Sequence, residues 1–194
     1  GRITAAATTL FVRDGFLTTT MAAIAAEAGV AVQTLYLSFG NKTAILKSAF
    51  DEAISGDDEP VPVPDRPWFR AVLDNPDGRA ALATFVENSS EIMARVGPLY
   101  GVVRASAADP EVADILAENK RQRHAGFAMI TKALAKKSGF STELSVADAT
   151  AVLYTVQSEE TYALMVVERG WPVGKWRDWV LRVLSAELFP DAGH

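Results

Sequence analysis

The sequence predicts an all-α protein, on three observations. Alanine, leucine and glutamate are plentiful across the 194 residues, and no long alternation of apolar and polar residues suggests strands. Apolar residues recur three and four positions apart, the spacing of one helix face. Glycine and proline fall between these stretches, where helices must stop.

The elements follow in order. Ile3, Ala6, Ala7, Leu10 and Phe11 mark one face of a first helix, which Gly15 ends. Thr20 is placed to cap a second short helix, and Gly29 closes it. A third short helix runs from about Ala31 to Phe39, and Gly40-Asn41 breaks it before a fourth begins near Lys42. Residues 55–67, SGDDEPVPVPDRP, are acidic and proline-rich, which favours extended backbone and predicts a loop between two lobes. After a short segment at 67–74, the turn NPDG precedes a helix from about Arg79 to Arg95. Gly97-Pro98 predicts a fresh start to about Ala107. Asp109-Pro110 predicts a capped helix reaching Lys137, which Ser138-Gly139 stops. Ser145 opens a helical region to Glu168 with a break near Ser158. Gly170-Trp171-Pro172 is a turn, and a last helix covers about 174–188.

Composition narrows the function classes. With 49% hydrophobic and 22% charged residues the chain has enough apolar mass for one sizeable core or two small ones. Cysteine is absent, which excludes disulfides, thiolate metal sites and a cysteine nucleophile. No apolar run approaches the roughly 18 residues of a membrane span. The first residues lack the basic and apolar blocks of a signal peptide, so a cytoplasmic location and no membrane partner are expected. Net charge is −5, but unevenly spread: residues 1–50 carry +2 and the remainder −7, so the N-terminal piece is the one expected to meet phosphate.

The second and third helices meet the physical demands of a helix-turn-helix. Ala25 allows close crossing, Gly29 tolerates the positive φ of a tight turn, and Val30 supplies the apolar residue after it. With Ile24, Val30, Leu35 and Phe39 turned inward, Gln33, Thr34 and Tyr36 are left on the outer side, a polar-aromatic face suited to a major groove. An ordinary three-helix bundle with a glycine turn would share the spacing, so the flanking residues decide.

Residues 19–46, TTMAAIAAEAGVAVQTLYLSFGNKTAIL, resemble the DNA-binding domain of the tetracycline-repressor (TetR) family. The matching signals are Thr-Thr before the second helix, Ala-Gly-Val at the turn, Thr-Leu-Tyr in the third helix and Phe-x-Asn-Lys into the fourth. GDDEPVPV, DRPW, ADPE and VVERGWPVGKW extend the resemblance downstream. The resemblance implies a helix-turn-helix DNA-binding domain over residues 1–47 and a helical ligand-binding and dimerisation domain over 48–194. It implies that Thr20 and Lys42 contact phosphates beside helix N-termini. Thr34 and Tyr36 bind backbone phosphate through their hydroxyls. Gln33 pairs with an adenine and Val32 touches a thymine methyl. Where relatives often begin the third helix with serine and a basic residue, this chain has Ala31 and Val32, so a cap and a charge are missing. Affinity is then expected to rest on helix N-termini or on a basic arm ahead of Gly1, with a modest salt dependence.

For the C-terminal region the resemblance implies a homodimer on a palindromic operator, a small apolar or amphipathic effector, and repression; no cofactor and no metal are expected. Two apolar stripes, with Val152, Val156 and Met165 on one and Val180, Val183, Leu184 and Leu188 on the other, are candidates for an intermolecular four-helix bundle. Candidate effector contacts are Trp68, Phe85, Asn88, Ile92, Tyr100, Arg104, Phe127, Tyr154 and Gln157. Two other classes compete. A helical interaction protein that kept the fold without binding DNA is one. An enzyme is the weaker, because no Gly-rich phosphate loop, HExxH or GxSxG occurs and the two histidines, His124 and His194, lie far apart. His124 is expected at the surface, and Glu159-Glu160 on a solvated face or at a cap.

Overall fold

The computed structural model describes residues 1–56 and 61–191. Among these residues all regular structure is helical, with no strand, as the sequence predicts. The chain divides into two compact units, residues 1–60 with 95–119 and residues 61–94 with 120–194. Part of the predicted proline-rich loop, residues 57–60, lies outside the described residues, as does His194.

The first unit opens with α1 (Arg2–Asp14), α2 (Met21–Ala28), α3 (Val32–Phe39) and α4 (Lys42–Ser55). Ala6, Ala7, Leu10 and Phe11 are buried on one face of α1, which packs against α2 and α4. Gly15 and Gly40 end α1 and α3, and Asn41 caps α4 by accepting from the Ala44 N–H at 2.8 Å. Ile24, Leu35, Ile45 and Leu46 are completely buried, so each helix anchors by at least one apolar side chain. Full burial of one such side chain contributes about 1.5–3 kcal/mol.

The second unit holds a 3₁₀ turn at Val63–Asp65 and α5 (Pro67–Asp74), which starts with proline at its first position. α6 (Gly78–Ala105) and α7 (Pro110–Leu134) each contribute residues to both units. α8 (Val146–Val156) and α9 (Glu159–Tyr162) follow, α9 running on as a π-helix over Ala163–Glu168, and α10 (Val173–Leu188) ends the fold. The core gathers Phe69, Val72, Leu82, Phe85, Phe127, Ile130, Leu153 and Trp176, with α10 packed on α8. Lys137 donates to the carbonyls of Leu73 (3.0 Å) and Asn75 (2.5 Å), placing a cation where the C-terminal end of α5 is negative.

One helix differs from the sequence reading. Gly97-Pro98 predicts a break, but α6 runs unbroken from Gly78 to Ala105 with Pro98 inside it. Proline removes one backbone hydrogen bond at a cost of about 3 kcal/mol. Val96, Leu99, Tyr100 and Val103 are all buried around it, and their combined burial outweighs that loss. α7 also stops three residues earlier than predicted, at Leu134.

Among the glycines described, Gly78 leaves the least room for a side chain. A Cβ there would lie 2.4 Å from Cε1 of Phe189, a ring that is itself buried. Gly101, in the exposed part of α6, faces open space. Thermal unfolding should separate the two. Gly78→Ala is expected to destabilise by about 1–3 kcal/mol through overpacking. Gly101→Ala is expected to stabilise by about 1 kcal/mol through helix propensity.

Candidate nucleic-acid interface and buried polar core

α2 and α3 meet at 110° across the turn. Thr20 caps α2, its hydroxyl oxygen accepting from the Ala23 N–H at 3.1 Å. Gly29 closes α2 in the left-handed region, φ 64° and ψ 42°. An L side chain in that conformation costs about 1–2 kcal/mol. The Val30 N–H returns to the Ala25 carbonyl at 3.0 Å, which fixes the chain's exit from the helix. Ala31 stands at the N-cap of α3 and supplies no side-chain cap, as its methyl dictates.

The placement of the predicted contacts on α3 follows from one anchor. Leu35 is completely buried and is the only residue of α3 that is. Gln33, Thr34 and Tyr36 are therefore exposed, and Val32 and Phe39 are half-buried. Leu37 and Ser38 are exposed on the same helix, and sequence reading passed over both. The exposed leucine could have been found by counting: Leu37 lies four residues beyond Gln33 and so shares its face.

Lys42 turns inward. Its Nζ donates to the carbonyls of Phe16 (2.5 Å), Thr19 (2.8 Å) and Leu17 (3.4 Å), and it lies 4.4 Å from the centroid of the Phe16 ring. Burial lowers its pKa, against a smaller opposing effect of Asp109. The ammonium thus ties the segment between α1 and α2 to the start of α4, and that segment leads directly into the Thr20 cap.

The second unit contains a buried polar cluster. Arg123 on α7 pairs with Glu159 at the start of α9, and both side chains are more than nine-tenths buried. A second carboxylate, Glu160, lies 3.6 Å from Arg123. The guanidinium carbon sits 4.1 Å from the centroid of the Tyr154 ring, close enough for a cation–π contact. The sequence reading puts Glu159-Glu160 on a solvated face or at a cap; of the two, the structure has the cap, with Glu159 buried and not solvated. Ser158 caps α9 by accepting from the Thr161 N–H at 3.1 Å, so both glutamates do fall in a first helical turn. The break at Gln157-Ser158 turns Glu159 toward Arg123. No spacing in the sequence links two residues 36 positions apart. His124 is exposed, as expected, with its ring 5.8 Å from that of Tyr154.

Some predicted effector contacts come together here and others do not. Phe85 packs edge-on to Phe127 at 5.1 Å, and Phe127 lies 6.3 Å from Tyr154. Gln157 is completely buried; its Nε2 donates to Ser90 Oγ at 3.4 Å, while its Oε1 has no hydrogen-bond partner among the described residues. The indole N–H of buried Trp176 has none either. Trp68, Asn88 and Ile92 are half-buried in the same unit. Tyr100 and Arg104 belong to the other unit, Tyr100 buried and Arg104 exposed. Of the predicted dimer contacts, Val180, Leu184 and Leu188 are completely buried within this chain's own core, which leaves a partner no access to them. Val152, Val156, Met165 and Val183 are half-buried. Leu164 and Val167, in the π-helix, are exposed, and the sequence reading missed them.

A short helix held by one buried leucine, crossed at 110° over a left-handed glycine and presenting an amide, hydroxyls and an aromatic ring, defines a helix-turn-helix DNA-binding domain. Residues 3–49 match the family described as bacterial regulatory proteins, tetR family. No curated protein matches the chain in sequence. Solved structures share its fold. The transcriptional regulator FadR from Bacillus subtilis, in complex with stearoyl-CoA, superposes with a TM-score of 0.69 at 20% identity, over 96% of this chain and 97% of its own. The fatty acid degradation regulator FadR from Bacillus halodurans gives 0.66 at 18% identity, over 94% and 92%. A candidate transcriptional regulator from Saccharomonospora viridis, in complex with choline, gives 0.72 at 18% identity, over 96% and 95%.

Lys42→Met keeps the apolar stem and removes the donors. It is expected to cost about 1–3 kcal/mol in denaturant unfolding. Amide exchange should quicken in residues 16–20 and stay unchanged in α8 and α10. Unchanged stability and exchange would remove the tie from the description.

Proposed function

We propose that this chain is a ligand-responsive repressor, acting in the cytoplasm, that binds a palindromic operator as a homodimer and is released by a small apolar or amphipathic effector. The observation that carries this reading is the outward face of α3, with Gln33, Thr34 and Tyr36 exposed opposite the single buried anchor Leu35. Residues 1–47 are assigned to DNA binding, and residues 48–194 to effector binding and dimerisation.

On the DNA, Gln33 pairs with adenine through its amide, and Val32 meets a thymine methyl. Thr34 and Tyr36 reach backbone phosphates, and the uncapped start of α3 at Ala31 offers its N–H groups. Thr20 contacts phosphate from the N-terminus of α2. Lys42 supports the same strand by holding the segment that presents Thr20, and its charge adds to the local positive potential. One such helix reads few base pairs, so two-fold pairing of chains supplies the second half-site. The exposed Leu164 and Val167, flanking half-buried Met165, support a dimer contact there, joined by Val152, Val156 and Val183.

The effector is assigned to the second unit, around Phe85, Phe127, Tyr154 and Gln157, with Trp68, Asn88 and Ile92 as further candidates. Two neighbours of this fold hold molecules of opposite charge, stearoyl-CoA and choline, so the fold alone leaves the effector's charge open. In this chain Tyr154, whose ring neighbours Phe127, lies against an arginine already matched by carboxylates, which favours an effector without a strong net charge at its buried end. The unpartnered Gln157 Oε1 and Trp176 N–H supply one acceptor and one donor. Release follows if the effector binds the DNA-incompetent arrangement better; a coupling of 1–3 kcal/mol gives roughly 5–150-fold weaker operator binding.

Selection of duplexes by the full chain from a random pool tests this reading. The expected product is a palindrome with half-sites about 10 base pairs apart, or a multiple of that, bound by a dimer in sedimentation. Gln33→Ala is expected to relax one position in each half-site. No enriched duplex from a folded protein, or a monomer on an asymmetric site, would overturn it.

A further inference from the structure

α3 carries no charged side chain. Its eight residues, VQTLYLSF, contain neither arginine, lysine, aspartate, glutamate nor histidine. This limits what the helix can read in a major groove. Guanine is recognised by arginine or lysine on O6 and N7, and cytosine by a carboxylate on N4. Adenine is recognised by a glutamine or asparagine amide, and thymine by apolar contact with its 5-methyl group. Neither reader specific to G·C is present; both readers specific to A·T are, beside Thr34 and Ser38, whose hydroxyls meet either pair.

The apolar reader is the most exposed large hydrophobic residue described. Leu37 is 89% exposed, against 53% for Tyr36. It lies four residues after Gln33, on the same face. Four residues of helix rise about 6 Å, under two base-pair steps of about 3.4 Å. A helix lying along the groove therefore sets the amide of Gln33 and the methyls of Leu37 over bases one or two pairs apart. Ser38 beside it is exposed and short, so nothing on α3 shields Leu37 from the groove.

We infer that α3 reads A·T pairs in preference to G·C pairs, and that Leu37 is a specificity-determining residue that selects a thymine methyl one or two pairs from the adenine taken by Gln33. This rests on the proposed operator binding. It adds to that reading the base class and a residue facing the DNA that the family resemblance did not assign.

The test uses the full chain and the duplex it selects. Each thymine in the selected half-sites is replaced by deoxyuridine, which lacks only the 5-methyl group, and binding is followed by fluorescence anisotropy. Beside the thymine assigned to Val32, a second position per half-site is expected to weaken binding about fourfold on replacement, the scale of one buried methyl, and about sixteenfold when that position is replaced in both half-sites. Leu37→Ala, an exposed position whose change leaves the core intact, should bind equally the duplexes that differ in that one methyl, while keeping any preference at the thymine assigned to Val32. A selected motif whose invariant positions are G·C pairs overturns the inference while leaving operator binding in place. So does sensitivity to deoxyuridine at no more than one position per half-site, or a Leu37→Ala protein that discriminates at the same positions as the unmodified one. Failure to enrich any duplex overturns operator binding and this inference with it.

Discussion

α3 depends on its attachment. Eight residues are too few for a helix to persist alone in water. It persists here because Leu35 is completely buried, with α3 packed against α2 and α4, and because Gly29 sets the direction in which the chain leaves α2. A single anchor has a functional corollary. With only Leu35 fully committed to the core, most of the surface of α3 is free, and every polar group on it can face outward without an unpaired buried atom. Lys42 secures the other end of the same frame. Its ammonium gathers carbonyls from the segment before α2, so the α2 cap and the α4 start move together.

The second unit solves a different problem. A buried arginine requires carboxylates, and removing water from both charges returns little net stability. Arg123 is matched by Glu159 and Glu160 and covered by the Tyr154 ring, so the charge is tolerated rather than strongly stabilising. In the same unit, buried Gln157 Oε1 and Trp176 Nε1 have no hydrogen-bond partner among the described residues. Polar atoms in that condition gain from any bound molecule that supplies partners. This is the physical reason for proposing the effector site in this part of the chain.

Much of the fold was legible because its boundaries are local. Thr20, Gly29 and Ser158 act through their own backbone or their own hydroxyl, within a few residues, and such signals survive in a linear string. Pro98 misled because its local preference was outweighed by the burial of Val96, Leu99, Tyr100 and Val103, a tertiary effect. The candidate site divides the same way. The outward placement of Gln33, Thr34 and Tyr36 follows from helical spacing. The inward turn of Lys42 and the Arg123–Glu159 pair join residues 23 or more positions apart, and nothing along the sequence encodes those meetings. Val180, Leu184 and Leu188 form a clean stripe, but a stripe does not say whether its partner is the same chain or another.

Replacing each adenine of the selected operator in turn with 7-deazaadenine tests the placement of α3 most directly, because it deletes one major-groove acceptor, N7, and leaves Watson–Crick pairing intact. Gln33 on adenine N6 and N7 requires that one position in each half-site lose affinity, by roughly tenfold if the bidentate pair is worth about 1–3 kcal/mol, and that Gln33→Ala be insensitive there. Undiminished binding by the unmodified protein at every adenine would contradict a recognition helix that reads adenine from the major groove.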